Sequence, residues 1–260
     1  MELHKPTYRV VKILELLEAA KKTGKSLSDI SKILEIPKGT VSPVLKTLEN
    51  LNYITFNPQT HRYTLGFRAF ELGLDYGSDT DVIAMLQKNM QAIVRDINEI
   101  CQLGVLSGPD VLYILKESPN NAVAIRSSIG AKLPAYATGL GKALLSGKTD
   151  NEIKALYHDT DFVKYTPNTI DNLSDLLTVV QQVRKTQFAY EMEESNTEIC
   201  CIAVPLLINK TVEAAISVTI PVFRYNDQKK QAIEQELQTR KQLIEKICKI
   251  QNYHLPLTTT

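Results

Sequence analysis

The chain has 260 residues, 43% of them hydrophobic and 23% charged, with 30 Lys and Arg against 29 Asp and Glu. That length allows two domains with a core each, and the composition is ordinary for a globular protein. No apolar run approaches the roughly 20 residues of a membrane helix, and Met1 to Lys12 lack the apolar centre of an export signal, so a cytoplasmic protein without a membrane partner is expected.

The net charge of +1 is unevenly shared. Residues 1–65 hold 10 Lys and Arg against 6 Asp and Glu, and the other residues hold 20 against 23. A basic end on a mildly acidic body suits a head that binds phosphates. Cys101, Cys200, Cys201 and Cys248 have no C-x-x-C spacing and no neighbouring histidines, so they read as free buried thiols, with neither metal nor cofactor expected.

In chain order, Pro6-Thr7 opens a helix carrying Val10, Val11, Ile13, Leu14, Leu16 and Leu17, which Gly24 stops. Ser26-x-x-Asp29 is a capping box with Asp in place of the usual Glu or Gln. It leads into Leu27, Ile30, Ile33 and Leu34 as one buried helical face. Glu35-Ile36-Pro37-Lys38 interrupts, and Val41, Val44, Leu45, Leu48 and Leu51 give a second face. Two short helices joined by a tight turn are a helix-turn-helix, whose second helix enters the major groove. Tyr53–Phe56 and His61–Leu65, joined by Asn57-Pro58-Gln59-Thr60, add the hairpin of a winged variant.

Residues 66–78 read as a linker helix, and Asp79 or Thr80 caps a helix carrying Val82 to Ile97. Beyond Cys101 the pattern turns to strands: Leu103–Ser107 and Val111–Glu117 around the turn Gly108-Pro109-Asp110, then Val123–Ser128. Ala137–Lys142 opens a short helix, and Asp150–Tyr157 and Ser174–Gln187 are helices. Tyr190–Glu194, Ile199–Ile208 and Val212–Ile220 are strands, and Asp227 to about Gln251 is a last amphipathic helix. This order predicts an α+β domain around a mostly antiparallel sheet.

Several of these stretches resemble the IclR-type transcriptional regulators. Ile36–Ile54 and His61–Gly73 are similar to the family's winged head. In the second domain, Ile129–Leu145, Thr166–Ile170, Glu193-Glu194, Cys201–Pro205 and Ala214–Thr219 follow at family-like separations, from about residue 7 to 250 in all. The resemblance implies a winged helix-turn-helix at 1–65, the linker helix, and a GAF-like effector-binding and oligomerisation domain at 79–255. It also implies homodimers that can pair into dimers of dimers, and regulation, chiefly repression, of nearby genes by a small organic or sugar acid.

Lys38, Thr40, Ser42, Pro43 and Lys46 are the expected operator contacts on the second helix, with Arg62 on the wing reaching the DNA backbone or a minor groove. Pro43 stands where the family commonly has Arg. Because proline is tolerated in a first turn, the helix is expected to start late, with Gly39 or Thr40 as its cap. In the family the effector sits between the small-residue turn and the facing strands. Carried over, this points to Gly139, Leu140, Glu191, Cys201, Ser217 and Thr219. Ser217 and Thr219 are two apart and share a strand face, and N–H groups after Thr138-Gly139 could face an anion. Glu191 replaces the family's common Asp, and Glu198 its common Gly.

Gly147-Lys148-Thr149 lacks the earlier glycine of a phosphate loop, and Gly139-x-Gly141 lacks the third glycine of a dinucleotide fingerprint. No G-x-S-x-G elbow occurs and the four histidines are scattered. The chain therefore reads as a regulator and not an enzyme. Two rivals stay open: a metabolite-binding or enzymatic protein that uses the head for assembly, and a DNA-binding protein with no effector.

Overall fold

Two units make up the chain, Met1–Thr80 and Asp81–Thr260. The computed structural model describes residues 4–20, 23–69, 71–72, 81–120, 128–208 and 210–253. The expected strand at Val123–Ser128 and the caps at Asp79 or Thr80 fall largely outside them. Of the linker expected at 66–78, residue 66 precedes the helix and residues 67–69 and 71–72 are helical, the rest lying outside the described residues.

The first unit packs helices α1 (Lys5–Ala20), α2 (Leu27–Ile33) and α3 (Lys38–Asn50) with the antiparallel hairpin β1 (Ile54–Asn57) and β2 (Arg62–Leu65). Its core is Ile13, Leu17, Ile30, Val41, Leu45, Leu48 and Ile54. The capping box forms in both directions: Asp29 N–H donates to Ser26 Oγ at 3.1 Å and Ser26 N–H to Asp29 Oδ2 at 3.1 Å. The turn into α3 is locked by Ser31 Oγ donating to the Ile36 carbonyl at 2.7 Å. Ile33 departs from the expected buried face and is 50% exposed. In a helix of two turns the core side is set by Leu27, Ile30 and Leu34, and Ile33 points about 90° away from it at 100° per residue.

Helix α3 corrects the expectation of a late start. It runs from Lys38, with Pro37 in the N-cap position and the Thr40 and Val41 N–H groups donating to the Pro37 carbonyl. Pro43 is therefore the sixth helical residue, beyond the first turn, and the bond that its N–H would make to the Gly39 carbonyl is absent. The helix survives because one rung is lost on its exposed side while Val41, Leu45 and Leu48 hold the other side in the core.

The second unit is built on a six-stranded sheet, with order β5-β4-β3-β8-β7-β6 and every pairing antiparallel. The strands are β3 (Ile100–Ser107), β4 (Asp110–Glu117), β5 (Lys132–Pro134), β6 (Ala189–Met192), β7 (Ile199–Ile208) and β8 (Thr211–Pro221). β5 was not foreseen: three residues are too few to show alternation. Helices α4 (Asp81–Ile97) and α8 (Asp227–Gln251) cover one face, against Cys101, Leu103, Ile202, Val204, Ile216 and Val218. The other face carries α5 (Gly139–Leu145), α6 (Asp150–Leu156) and α7 (Leu173–Thr186).

The two faces differ in side-chain size. On the α5 face, β7 and β8 present Cys201, Ala203, Ala215, Ser217 and Thr219, all small. That lets α5 lie close: a Cβ on Gly139 would come within 2.9 Å of Cys201 Sγ. The turn that precedes α5 is tight as well, since a Cβ on Gly141 would come within 2.1 Å of the Ala135 carbonyl oxygen. Gly141→Ala is expected to destabilise the second unit by on the order of 3 kcal/mol. Gly39→Ala, where nothing lies within 4 Å, should leave the head at least as stable. Urea unfolding of the two variants checks the contrast, and equal losses would contradict this packing.

Candidate functional site

The outward surface of α3 follows from which residues it buries. With Val41, Leu45 and Leu48 inward, the opposite side is centred on Gly39, Pro43, Lys46 and Asn50. Lys38, Pro43 and Lys46 are exposed, while Thr40 and Ser42 are half-buried on the two flanks. Gly39 and Asn50 were not singled out from sequence, although the same angular count continued from Pro43 reaches both. Arg62 is engaged inside the head: its guanidinium donates to the Gly24 carbonyl at 3.0 Å and lies 3.6 Å from Asp29. Lys25 exchanges backbone hydrogen bonds with Tyr63, so Arg62 and Lys25 both tie the wing to the segment before α2. At the wing tip, Asn57 Oδ1 accepts the Gln59 and Thr60 N–H groups.

In the second unit the register puts Glu191 of β6 opposite Cys201 of β7, and Cys201 opposite Thr219 of β8. The three form a row across the face that α5 covers. Above the row lie Ala137, Thr138 and Gly139, and between them is a cavity of about 140 Å³. Gln102 and Tyr113 border it from β3 and β4, and Tyr165, Ser195 and Asn196 from the loops. Leu140 and Ser217 are set back from it. The Leu140 side chain is buried in the core beneath α5, and Ser217 is fully buried in register with Ala203. Thr219 Oγ1 donates to Gln102 Oε1 at 3.1 Å.

Sequence reasoning missed Gln102, Tyr113, Tyr165, Ser195 and Asn196. Tyr113 could have been reached by alternation from Val111, but the others need the strand order or the loop path. That path is fixed by the Thr166–Ile170 stretch. Thr169 Oγ1 donates to the Glu194 carbonyl at 2.6 Å and accepts the Tyr165 N–H, while Thr166 Oγ1 donates to the Glu193 carbonyl at 2.6 Å. Tyr136 packs on Tyr157 and Phe162 and donates to the Val163 carbonyl. Glu198, the other departure from the family, adopts φ of +73°, a conformation that glycine takes more easily.

Glu191 is 2% exposed. Its Oε1 accepts the Glu194 N–H at 2.6 Å, the Ser195 N–H at 3.0 Å and the Ser195 hydroxyl at 3.4 Å. Burial raises its pKa to about 7, against the pull of these backbone donors and of Lys142. Lys142 reaches from α5 to Glu194 Oε1 at 2.6 Å, with 1% of its side chain exposed. The Cys201 thiol is pushed up to about 12 by burial and is neutral at any ordinary pH. The four cysteines are free and buried, as expected.

A helix-turn-helix head, joined in one chain to a body with a small, mostly apolar cavity that holds a few polar groups, defines a transcriptional regulator with a separate sensing domain. The IclR helix-turn-helix domain matches residues 7–58, and the bacterial transcriptional regulator IclR C-terminal domain matches residues 74–246. The chain belongs to the IclR family of transcriptional regulators. It is 29% identical over 231 residues to the regulator XynR of Escherichia coli, covering 88% of this chain and 91% of that one. It is also 29% identical over 224 residues to KdgR of the same organism, covering 86% and 84%, and 28% identical over 220 residues to the repressor AllR of Salmonella typhimurium, covering 84% and 80%. The fold is shared with an IclR regulator from Alicyclobacillus acidocaldarius (TM-score 0.80, 22% identity, 94% of this chain and 99% of that one). It is shared also with an IclR homologue from Microbacterium hydrocarbonoxydans solved with 4-hydroxybenzoate (TM-score 0.74, 19% identity, 93% and 99%). No described helix is long and apolar enough to cross a membrane.

Two outcomes follow from the buried charges. Lys142→Ala strands the Glu194 carboxylate, and the second unit should lose roughly 3–5 kcal/mol in urea unfolding. Removing Glu194 as well should restore part of that, and an additive double variant would deny the pairing. For Glu191 the folded pKa lies above the ordinary 4.5, so folding takes up a proton between about pH 4.5 and 7. Its contribution is greatest below pH 4.5 and is lost as pH rises through 7. The stability difference between wild type and Glu191→Gln should drift against wild type across that window, and a constant difference would place the titration elsewhere.

Proposed function

We propose that the chain is a repressor that binds a DNA operator as a homodimer, or as a pair of dimers, and is released by a small organic or sugar acid. The head is residues 1–65, the linker helix 66–78 and the effector domain 79–255, in the cytoplasm. The observation that carries this reading is the cavity over the Glu191–Cys201–Thr219 row. Its volume is close to that of an engineered cavity of about 150 Å³ that admits benzene, so it suits a ligand of few heavy atoms. AllR is named a repressor and one solved neighbour holds an organic acid, and both agree with the reading.

Gly139, Glu191, Cys201 and Thr219 form the effector site, with Leu140 and Ser217 supporting it from behind. On the operator side, Lys38 and Lys46 contact phosphates, and Thr40, Ser42 and Pro43 face the groove. Arg62 acts from the wing, where its guanidinium also braces β2. Two heads reading paired half-sites require a symmetric dimer.

The test is fluorescence anisotropy on labelled duplexes tiling the DNA beside the protein's own gene, with non-specific competitor and a salt titration. One tile should bind through the competitor and be released by an acid. Lys38→Ala and Lys46→Ala should each flatten the log–log salt slope by about 0.9. Unchanged slopes in both would remove those lysines from the interface, and equal weak binding to every tile would contradict the operator reading.

A further inference from the structure

The cavity's described polar side chains include one acid and no base. Among the described residues it holds the Glu191 carboxyl, the Cys201 thiol, the Tyr113 and Tyr165 phenols, hydroxyls and amides, and no Lys, Arg or His. The ammonium group that acts on Glu191 is Lys142, and it is already 2.6 Å from Glu194. Glu191 Oε1 is taken by three donors, while Oε2 makes no hydrogen bond to a described residue. An ionised ligand carboxylate brought beside an ionised Glu191, itself 2% exposed, would put two like charges together at a poorly solvated position, where only one can stay ionised. With a proton between them, one carboxyl donates to the other and the repulsion becomes a hydrogen bond.

We infer that the cavity takes a monocarboxylate together with one proton, shared between the ligand's carboxylate and Glu191 Oε2. This rests on the effector reading of the cavity and adds the ligand's charge class and a proton to it. The groups near Glu191 are Lys142 from α5, Glu194 from the following turn, Cys201 from β7 and Tyr113 from β4, with Cys200 on the sheet's other face. Burial holds both thiols and the Tyr113 phenol above their ordinary ranges, so they stay neutral between pH 6 and 8. Lys142 and Glu194 offset one another as an ion pair. That leaves Glu191, at about 7, as the group that titrates. Above that pH it starts ionised, binding draws one proton from solvent onto Oε2, and Oε2–H donates to the ligand. No covalent bond forms.

The experiment is isothermal titration calorimetry on the whole protein at pH 6 and pH 8, each in two buffers of different ionisation enthalpy. The probes are glyoxylate, pyruvate, lactate, 2-oxobutyrate and 4-hydroxybutyrate, with pyruvamide and lactamide as uncharged controls. An acid that binds should do so about tenfold more weakly at pH 8 than at pH 6, with close to one proton taken up per ligand at pH 8 and few at pH 6. Glu191→Gln, which can donate an N–H without a proton from solvent, should bind the same acid with little change across that range. The proton count is made on wild type, so it stands even where the variant folds poorly. An acid that binds equally at both pH values without proton uptake overturns the inference and leaves the effector cavity standing. Binding of the amides in preference to the acids does the same. Failure of every probe at both pH values overturns the inference and the acid-effector reading together, while operator binding by the head is scored separately by anisotropy.

Discussion

The second unit depends on how closely α5 can lie against the sheet. A helix resting on strands of Leu and Ile is held off by their side chains, whereas here glycine meets cysteine and alanine across the contact. The close approach at Gly139 brings Thr138 over the Cys201–Thr219 row and aims Lys142 at Glu194. The same small side chains that admit the helix leave the space at its N-terminal end unfilled. Cavity and packing are thus one arrangement: larger residues on β7 and β8 would fill the cavity and lift the helix together.

The charges beneath the cavity also have a structural role. Lys142 belongs to α5 and Glu194 to the turn after β6, so their contact fastens helix to turn across 52 residues of sequence. Thr166 and Thr169 fasten the loop bearing Tyr165 to that same turn. A ligand touching Glu191 would act on a turn to which a helix and a loop are both attached. That is a short mechanical path from a small molecule to a large part of the unit.

Much of this was legible in the sequence. Alternation and capping located the helices and long strands, because a capping box and a ten-residue apolar strand are local signals. Three of the proposed effector residues, Glu191, Cys201 and Thr219, prove to share one row of the sheet. Leu140 and Ser217 fall behind it because a motif match carries residues over without saying which way each points. Gln102 was invisible, since its place beside Thr219 depends on β3 pairing with a strand over a hundred residues away. The start of α3 was misjudged because proline's local preference was weighed without the three core side chains that hold that helix in place.

The strand order has a consequence for synthesis. β3 lies at the middle of the sheet, between β4 and β8, yet Gln102 and Thr219 are 117 residues apart in the chain. A ribosome adding roughly 5–20 residues per second needs on the order of ten seconds to deliver β8 after β3. During that interval the β3–β4 hairpin presents an unpaired apolar edge, an open template for another chain. The first unit, which ends at Thr80, can fold well before then. A nascent chain is therefore able to shape its helix-turn-helix while the sheet of the second unit still lacks its central partner.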